Sequence, residues 1–267
     1  KGVTSRIGET FLTAPDEEVY EQFLKVVLDA MESEYGTFGY IDENGALVVP
    51  SMTRHIWDRC QVQDKRAVFP RDTWGDTAWP RAIREKKTIY SNAPSTGTPE
   101  GHVPIQRHIS QPIIHQGEVV GLLQVANCEA DYDEELLERL EDIAAYTAPV
   151  LNARLQRQRL EQAVRDSEER FRALIENSSD GIALISADES ILYESASVRR
   201  ILGYSSEDRV GQSAFELIHP DDLQSGRNLF SQLLQLPGAI ITSQLRSRHA
   251  DGSWRWIEVT GANLLND

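Results

Sequence analysis

Cys60 and the histidines of the first half of the chain are the residues whose chemistry stands out first. A thiolate and an imidazole can ligate haem iron or zinc. Cys60 has His55, His102, His108 and His115 available in the same half. The spacing selects no metal, because no Cys-x-x-Cys, Cys-x-x-Cys-His or His-x-x-x-His pattern occurs. A lone cysteine serves equally well as a small buried hydrophobe. A Cys–His nucleophilic pair would need an oxyanion loop and a group orienting the histidine. Neither can be picked out, so a protease is rejected and no catalytic residue is assigned. Binding is better supported than catalysis. Trp57, Phe69, Trp74 and Trp79 bring a large apolar surface to a segment too irregular to be a helix, beside Arg54, Arg71, Asp72 and Asp76. Rigid aromatics with a few polar groups suit a small-molecule pocket. The same aromatics suit the capping of a sheet as core. The candidate ligand-binding residues are therefore Trp57, Cys60, Phe69, Trp74 and Trp79, and the haem candidates are Cys60, His102 and His108.

The totals narrow the classes. The chain has 267 residues, enough for one or two domains, with 40% hydrophobic and 26% charged residues. Against 27 basic side chains stand 42 acidic ones, a net charge of −15. That excess argues against binding nucleic acid or anionic lipid by bulk electrostatics. No apolar run approaches a membrane span, so no membrane insertion is expected. Two cysteines are too few for a disulfide framework and suit a reducing cytoplasm. The chain opens on Lys1 and stops at Asp267 after a strand-like run, as a piece of a longer protein would.

The elements that position these residues follow from periodicity. Val19, Phe23, Val26, Val27 and Ala30 have helical spacing and predict a helix over Glu17–Ser33, with Asp16 as N-cap. Phe38–Asp42 and Ala46–Met52 read as strands around Glu43-Asn44-Gly45. A long irregular stretch follows, then a short helix over Trp79–Lys87, a strand over Thr88–Ser91 and a loop over Ser95–Pro104. His108–Ile114 and Val119–Ala126 form a second hairpin around His115-Gln116-Gly117-Glu118. Helix, hairpin, long insert, hairpin, helix predicts an antiparallel sheet with helices on one face and a long crossover on the other. In its turn His115 is expected to be exposed.

The runs FGYIDENGALVVPSMT and HISQPIIHQGEVVGLLQVAN, followed by DYDEELLERLEDIAAYTAPVL, resemble the two ends of a GAF domain. The segment between them is similar to a subgroup found in bacterial and archaeal sensor kinases. The resemblance implies that the crossover roofs a small-molecule pocket. Related archaeal GAF domains bind haem, which keeps haem among the cofactors implied. A bilin is not indicated, because Cys60 is followed by Gln61 rather than His, and no NKFDE-like motif of the cyclic-nucleotide group is present.

The second half resembles a PAS domain. SEERFRALIENS followed by DGIALI is similar to its opening helix and first strand. Ser190–Tyr193 reads as the second strand, and Ser197–Leu202 as a short helix stopped by Gly203. His219-Pro220-Asp221-Asp222 matches the PAS sequence ahead of the connecting helix. Pro220 fits a first helical turn, Asp221 and Asp222 complement its positive end, and His219 has a structural task rather than a metal. RSRHADGSWRWIEV reads as a hairpin around Ala250-Asp251-Gly252-Ser253. Two departures stand out. Tyr193-Glu194-Ser195-Ala196 replaces a stretch that often holds Asn in PAS domains, and the last PAS strand is expected to be missing after Asp267. Without cysteine, this half excludes cysteinyl–flavin photochemistry. A non-covalent flavin and an empty relay module both stay open.

Between the halves, Asp133–Ser178 predicts one long helix. Leu136, Leu140, Ile143, Thr147 and Val150 recur at alternating steps of four and three. Ala153, Arg157, Leu160, Val164, Ser167, Phe171 and Leu174 do so in a shifted register. The slip beside Pro149 predicts a stammer and a kink. The polar second part has little to bury alone and is expected to pair with a second copy.

The sequence thus predicts an α+β chain of two antiparallel-sheet sensory domains: GAF over residues 1–132, a signalling helix or coiled coil over 133–175, and PAS over 176–267. It is expected to be cytoplasmic and homodimeric through the helix, to bind an unknown small molecule, and to relay its state to an output domain beyond Asp267. No phosphoacceptor box, ATP lid or diguanylate cyclase signature is present in the chain itself. The resemblance implies a histidine kinase output first and a cyclic-dinucleotide enzyme second. A haem or metal redox sensor centred on Cys60 and a ligand-free dimerisation scaffold are the alternatives.

Overall fold

The computed structural model describes residues 2–53, 67–95 and 101–264. Two compact units divide the chain at Leu160/Glu161. In the first, α1 (Val3–Thr13) and α2 (Val19–Ala30) lead into β1 (Ser33–Ile41) and β2 (Leu47–Met52). The short β3 (Val68–Phe69), α3 (Ala78–Glu85) and β4 (Ile89–Ser91) follow, then β5 (His108–His115), β6 (Glu118–Cys128) and α4 (Glu134–Glu176). The strands form one antiparallel sheet of order β3-β2-β1-β6-β5-β4. The β5–β6 turn uses Gln116 and Gly117 at φ 49° and 82°, the left-handed pair that a tight hairpin with right-handed twist requires.

The main core lies between the sheet and the helices. Ile7, Phe11, Phe23 and Val27 from α1 and α2 pack with Phe38, Ile109, Leu123 and Val125, and α4 adds Leu140, Ile143, Ala148 and Leu151. The first stripe of the long helix is therefore core of its own unit rather than a seam for a partner. Thr147 is fully buried there, and its hydroxyl donates to the Ile143 carbonyl at 2.7 Å, so no polar group is orphaned. Pro149 lies inside α4, and the helix continues across it.

Two local expectations are corrected. Asp16 does not cap α2, which starts at Val19 after Glu18 and has no side-chain cap bond. Asp16 instead pairs with Arg154 of α4. The amphipathic helix α1 was not foreseen. Its apolar positions Ile7 and Phe11 fall a single helical turn apart in a short polar stretch.

The second unit takes over the end of α4 and holds β7 (Ala183–Ile185), β8 (Ile191–Glu194), α5 (Ser197–Leu202), α6 (Ser206–Arg209), α7 (Pro220–Gln235), β9 (Ile240–Arg248) and β10 (Trp254–Ala262). Gly203 ends α5 at φ 82°, a left-handed cap that costs glycine nothing. The strands form two antiparallel pairs, β7–β8 and β9–β10, rather than one sheet among the described residues. Each pair is held by its own turn, and the two are not laddered to one another. Isolated bridges tie Ser190 to Ser213 and Ile218 to Ser247. The small core includes Ile191, Val198, Leu202, Leu217, Leu233 and Leu245.

Between Leu155 and Ile175 the character of α4 changes. Leu155 is buried, but Leu160 is 67%, Val164 56%, Phe171 65% and Leu174 68% exposed. Among the described residues, no helix is long and apolar enough to cross a membrane.

Candidate functional site

The sheet of the first unit has a second face, turned toward the crossover. Strand register places its side chains in three rows. Gly39, Leu122 and Pro112 form one, Thr37, Gln124, Ser110 and Ile89 the next, and Tyr35, Ala126, His108 and Ser91 the third. Because side chains alternate along a strand, these rows share one face. The middle row is polar in the centre of a sheet. Thr37 Oγ1 donates to Gln124 Oε1 at 3.0 Å, and Gln124 Nε2 donates to Ser110 Oγ at 3.5 Å. Ser110 is fully buried. Burying such groups is costly unless they are bonded, and this row is bonded within itself.

The first row is walled by apolar side chains. Leu47, Val49, Ala82, Ile83 and Leu122 are buried together, with Phe69, Trp74 and Trp79 packed on them. Trp79 meets Phe69 and Trp74 edge-on at 5.7 and 5.4 Å between ring centroids. Trp74 Nε1 donates to the Phe69 carbonyl at 2.9 Å. The structure thus brings together three of the five expected pocket residues, as one aromatic wall. Trp57 and Cys60, with Arg54 and His55, lie outside the described residues.

The third row holds His108. Its Nδ1 is buried without a hydrogen-bond partner among the described residues, and burial lowers the pKa of the ring, so it is held neutral. A neutral imidazole has one donor and one acceptor. Near it Tyr35, Val103 and Ala126 pack with Ile105. His102 Nδ1 lies 2.8 Å from the Val103 carbonyl, and His115 is half-buried at the end of β5 rather than exposed. Among the described residues no three His, Cys, Asp or Glu side chains gather as a metal site.

Sequence reading missed Thr37, Ser110 and Gln124. The signal was present: Ser110 and Gln124 interrupt the apolar strands HISQPIIH and GLLQVAN at inward positions. Large aromatic residue types drew attention to the crossover instead.

In the second unit the polar corner where β8 meets α5 is spent on structure. Ser195 Oγ accepts from the Ile182 N–H at 2.9 Å, and Ser197 Oγ donates to the Ser178 carbonyl at 2.9 Å. Glu194, in the stretch where the PAS resemblance led one to expect Asn, forms a buried ion pair with Arg209, 3.3 Å apart, with side chains only 5% and 6% exposed. His219 is the N-cap of α7: its Nδ1 accepts from the Asp221 N–H at 3.2 Å. Pro220 occupies the first turn with Asp221 and Asp222, as the sequence predicts.

Fold and face together define an α+β protein with a helix-backed sheet, a roofed face and a long exit helix. The GAF domain family model matches residues 13–152, just over half of the chain, and the chain belongs to that family. A PAS fold model matches residues 191–267. GAF and PAS domains in tandem, with α4 between them, form a sensory module of a signalling protein. The chain is 29% identical over 140 residues to the methyl sulfide methyltransferase-associated sensor of Methanosarcina acetivorans, covering 50% of this chain and 13% of that protein. It is 30% identical over 123 residues to the sensor histidine kinase TmoS of Ectopseudomonas mendocina, covering 46% of this chain and 13% of that protein. Among solved structures, the PAS domain of an HTR-like protein from Haloarcula marismortui is 25% identical with a TM-score of 0.37, covering 41% of this chain and 91% of that one. The chain thus spans about an eighth of the length of these curated relatives.

Proposed function

We propose that this chain is the input region of a sensor histidine kinase that binds a small ligand on the crossover face of its GAF domain. The organisation is GAF over residues 1–132, a connecting helix over 133–175 and PAS over 176–267. The lining we propose is Trp57, Cys60, Phe69, Trp74 and Trp79, with the Thr37–Gln124–Ser110 row on the same sheet face as Leu122, against which the last three pack. The observation that carries this reading is α4. One end is built into the GAF core, its middle bares an apolar stripe, and its last turn enters the PAS core at Ile175. A change in the first unit therefore has a continuous helix through which to reach the second. The stripe pairs with its copy in a cytoplasmic homodimer, and the ligand shifts the packing of that pair by binding one arrangement better than the other. The relatives' names, a sensor and a sensor histidine kinase, support a kinase output in the whole protein.

A haem-based sensor is the second reading. It is favoured by the half-buried imidazole of His108, whose Nδ1 is enclosed with no hydrogen-bond partner among the described residues and whose pKa burial lowers, a ligand type that haem iron accepts. One experiment addresses both. Freshly purified chain is examined by absorption and by native against denaturing mass spectrometry. A colourless adduct lost in the Gln124→Leu variant supports the small-ligand reading, and a Soret band lost in His108→Ala supports haem. Absence of any adduct, together with no protection by a metabolite library in thermal scans, counts against both.

A further inference from the structure

A cleft of about 370 Å³ opens where the β5–β6 turn meets α4. It uses none of the polar groups of the crossover face. Ile41, Val119 and Leu155 give it an apolar wall, and Asn152, Gln156 and Arg159 project from successive turns of the helix. Arg159 is half-buried and donates one N–H to the Ile41 carbonyl at 3.3 Å. Among the described residues no carboxylate pairs with it, although the chain carries 42 acidic side chains. The one acidic lining residue, Glu118, is engaged by Lys86 at 3.5 Å. His115 lines the same cleft.

A half-buried guanidinium keeps a planar fork of donors, which matches a carboxylate in two parallel bonds. A bare inorganic anion would leave the apolar wall in water. A purely apolar molecule would cover Arg159 without pairing it, which is costly. The geometry points to a small organic carboxylate with a short apolar body as the ligand of this cleft. The volume lies at the low end of the range for small-molecule sites. Bound there, such a molecule touches the β5–β6 turn and α4 together, just before the helix passes from buried Leu155 to exposed Leu160.

The test is an amide NMR titration of the whole chain with benzoate and with its neutral isostere benzamide. Benzoate is expected to shift saturably the amides of Gln116–Val120 and Asn152–Arg159. It should bind at least about tenfold more tightly than benzamide, as a charge-assisted pair implies. Arg159→Gln should erase that preference while leaving the rest of the spectrum unchanged. Equal binding of the two probes, unaltered benzoate affinity in Arg159→Gln, or shifts confined to other residues would overturn the proposal. So would the lack of a saturable shift up to about 50 mM. Inorganic phosphate matching benzoate would also overturn it, because the apolar wall would then contribute nothing.

Discussion

Asp222 is tied to Arg246 by three hydrogen bonds. Its carboxylate accepts from the Arg246 backbone N–H at 2.9 Å, from Nε at 2.9 Å and from Nη2 at 2.7 Å. These bonds to Arg246 hold its pKa down to about 2. A depressed carboxylate stabilises the fold above the unfolded pKa of about 4, and that contribution is lost as pH falls through about 2. Asp222→Asn should therefore lower the melting temperature at neutral pH and flatten the acid limb between these values, read by circular dichroism from pH 2 to 7. On the crossover face, Gln124→Leu leaves the Thr37 hydroxyl without its acceptor and should cost about 1 kcal/mol in urea unfolding. The two sites differ in how readily the sequence declares them. Asp222 was legible as a helix-start residue, because Pro220 and the flanking acids specify a first turn locally. Its partner Arg246 was not, because that pairing is made by the fold. Ser110 and Gln124 were legible as polar breaks in apolar strands, but that they bond to one another is made by the strands that bring them side by side.

At the scale of elements, α4 divides its work along its length. Leu140 and Leu151 are fully buried against the GAF sheet, whereas Leu174 is mostly exposed. Leu140→Ala should destabilise the first unit by about 2–5 kcal/mol, the cost of emptying a packed site. Leu174→Ala should leave the unfolding of an isolated monomer nearly unchanged. Denaturant melts of the two variants under dilute conditions check this contrast. The helix itself was plain from its periodicity, as were both GAF hairpins, whose turns carry Asn-Gly and Gln-Gly. What periodicity could not tell was which partner each stripe meets. Leu136, Leu140, Ile143, Thr147 and Val150 read like a coiled-coil seam, yet they are packed on the sheet of their own unit. A stripe on a sheet and a stripe on another helix obey the same spacing. The β9–β10 hairpin was legible, because Asp251-Gly252 marks its turn, where Gly252 takes φ 87°. That the two hairpins of the second unit form separate pairs among the described residues was not, since nothing local encodes it.

For the molecule as a whole, the central claim is that the bare stripe of α4 joins two copies and makes one chain's state felt by another. Leu160, Val164, Phe171 and Leu174 leave apolar surface in water on the part of the helix that is otherwise mostly polar. Burying it against its copy is worth roughly 25 cal/mol per Å² of apolar area covered. Replacing Phe171 and Leu174 by Glu would remove that gain and add like charges across the seam. The most direct test is sedimentation equilibrium of the whole chain and of the Phe171→Glu, Leu174→Glu double variant over a range of concentrations, each checked for native circular dichroism. The account predicts a wild-type dimer and a folded, monomeric double variant. A wild-type chain that stays monomeric throughout, or a double variant that dimerises as tightly as wild type, would contradict it.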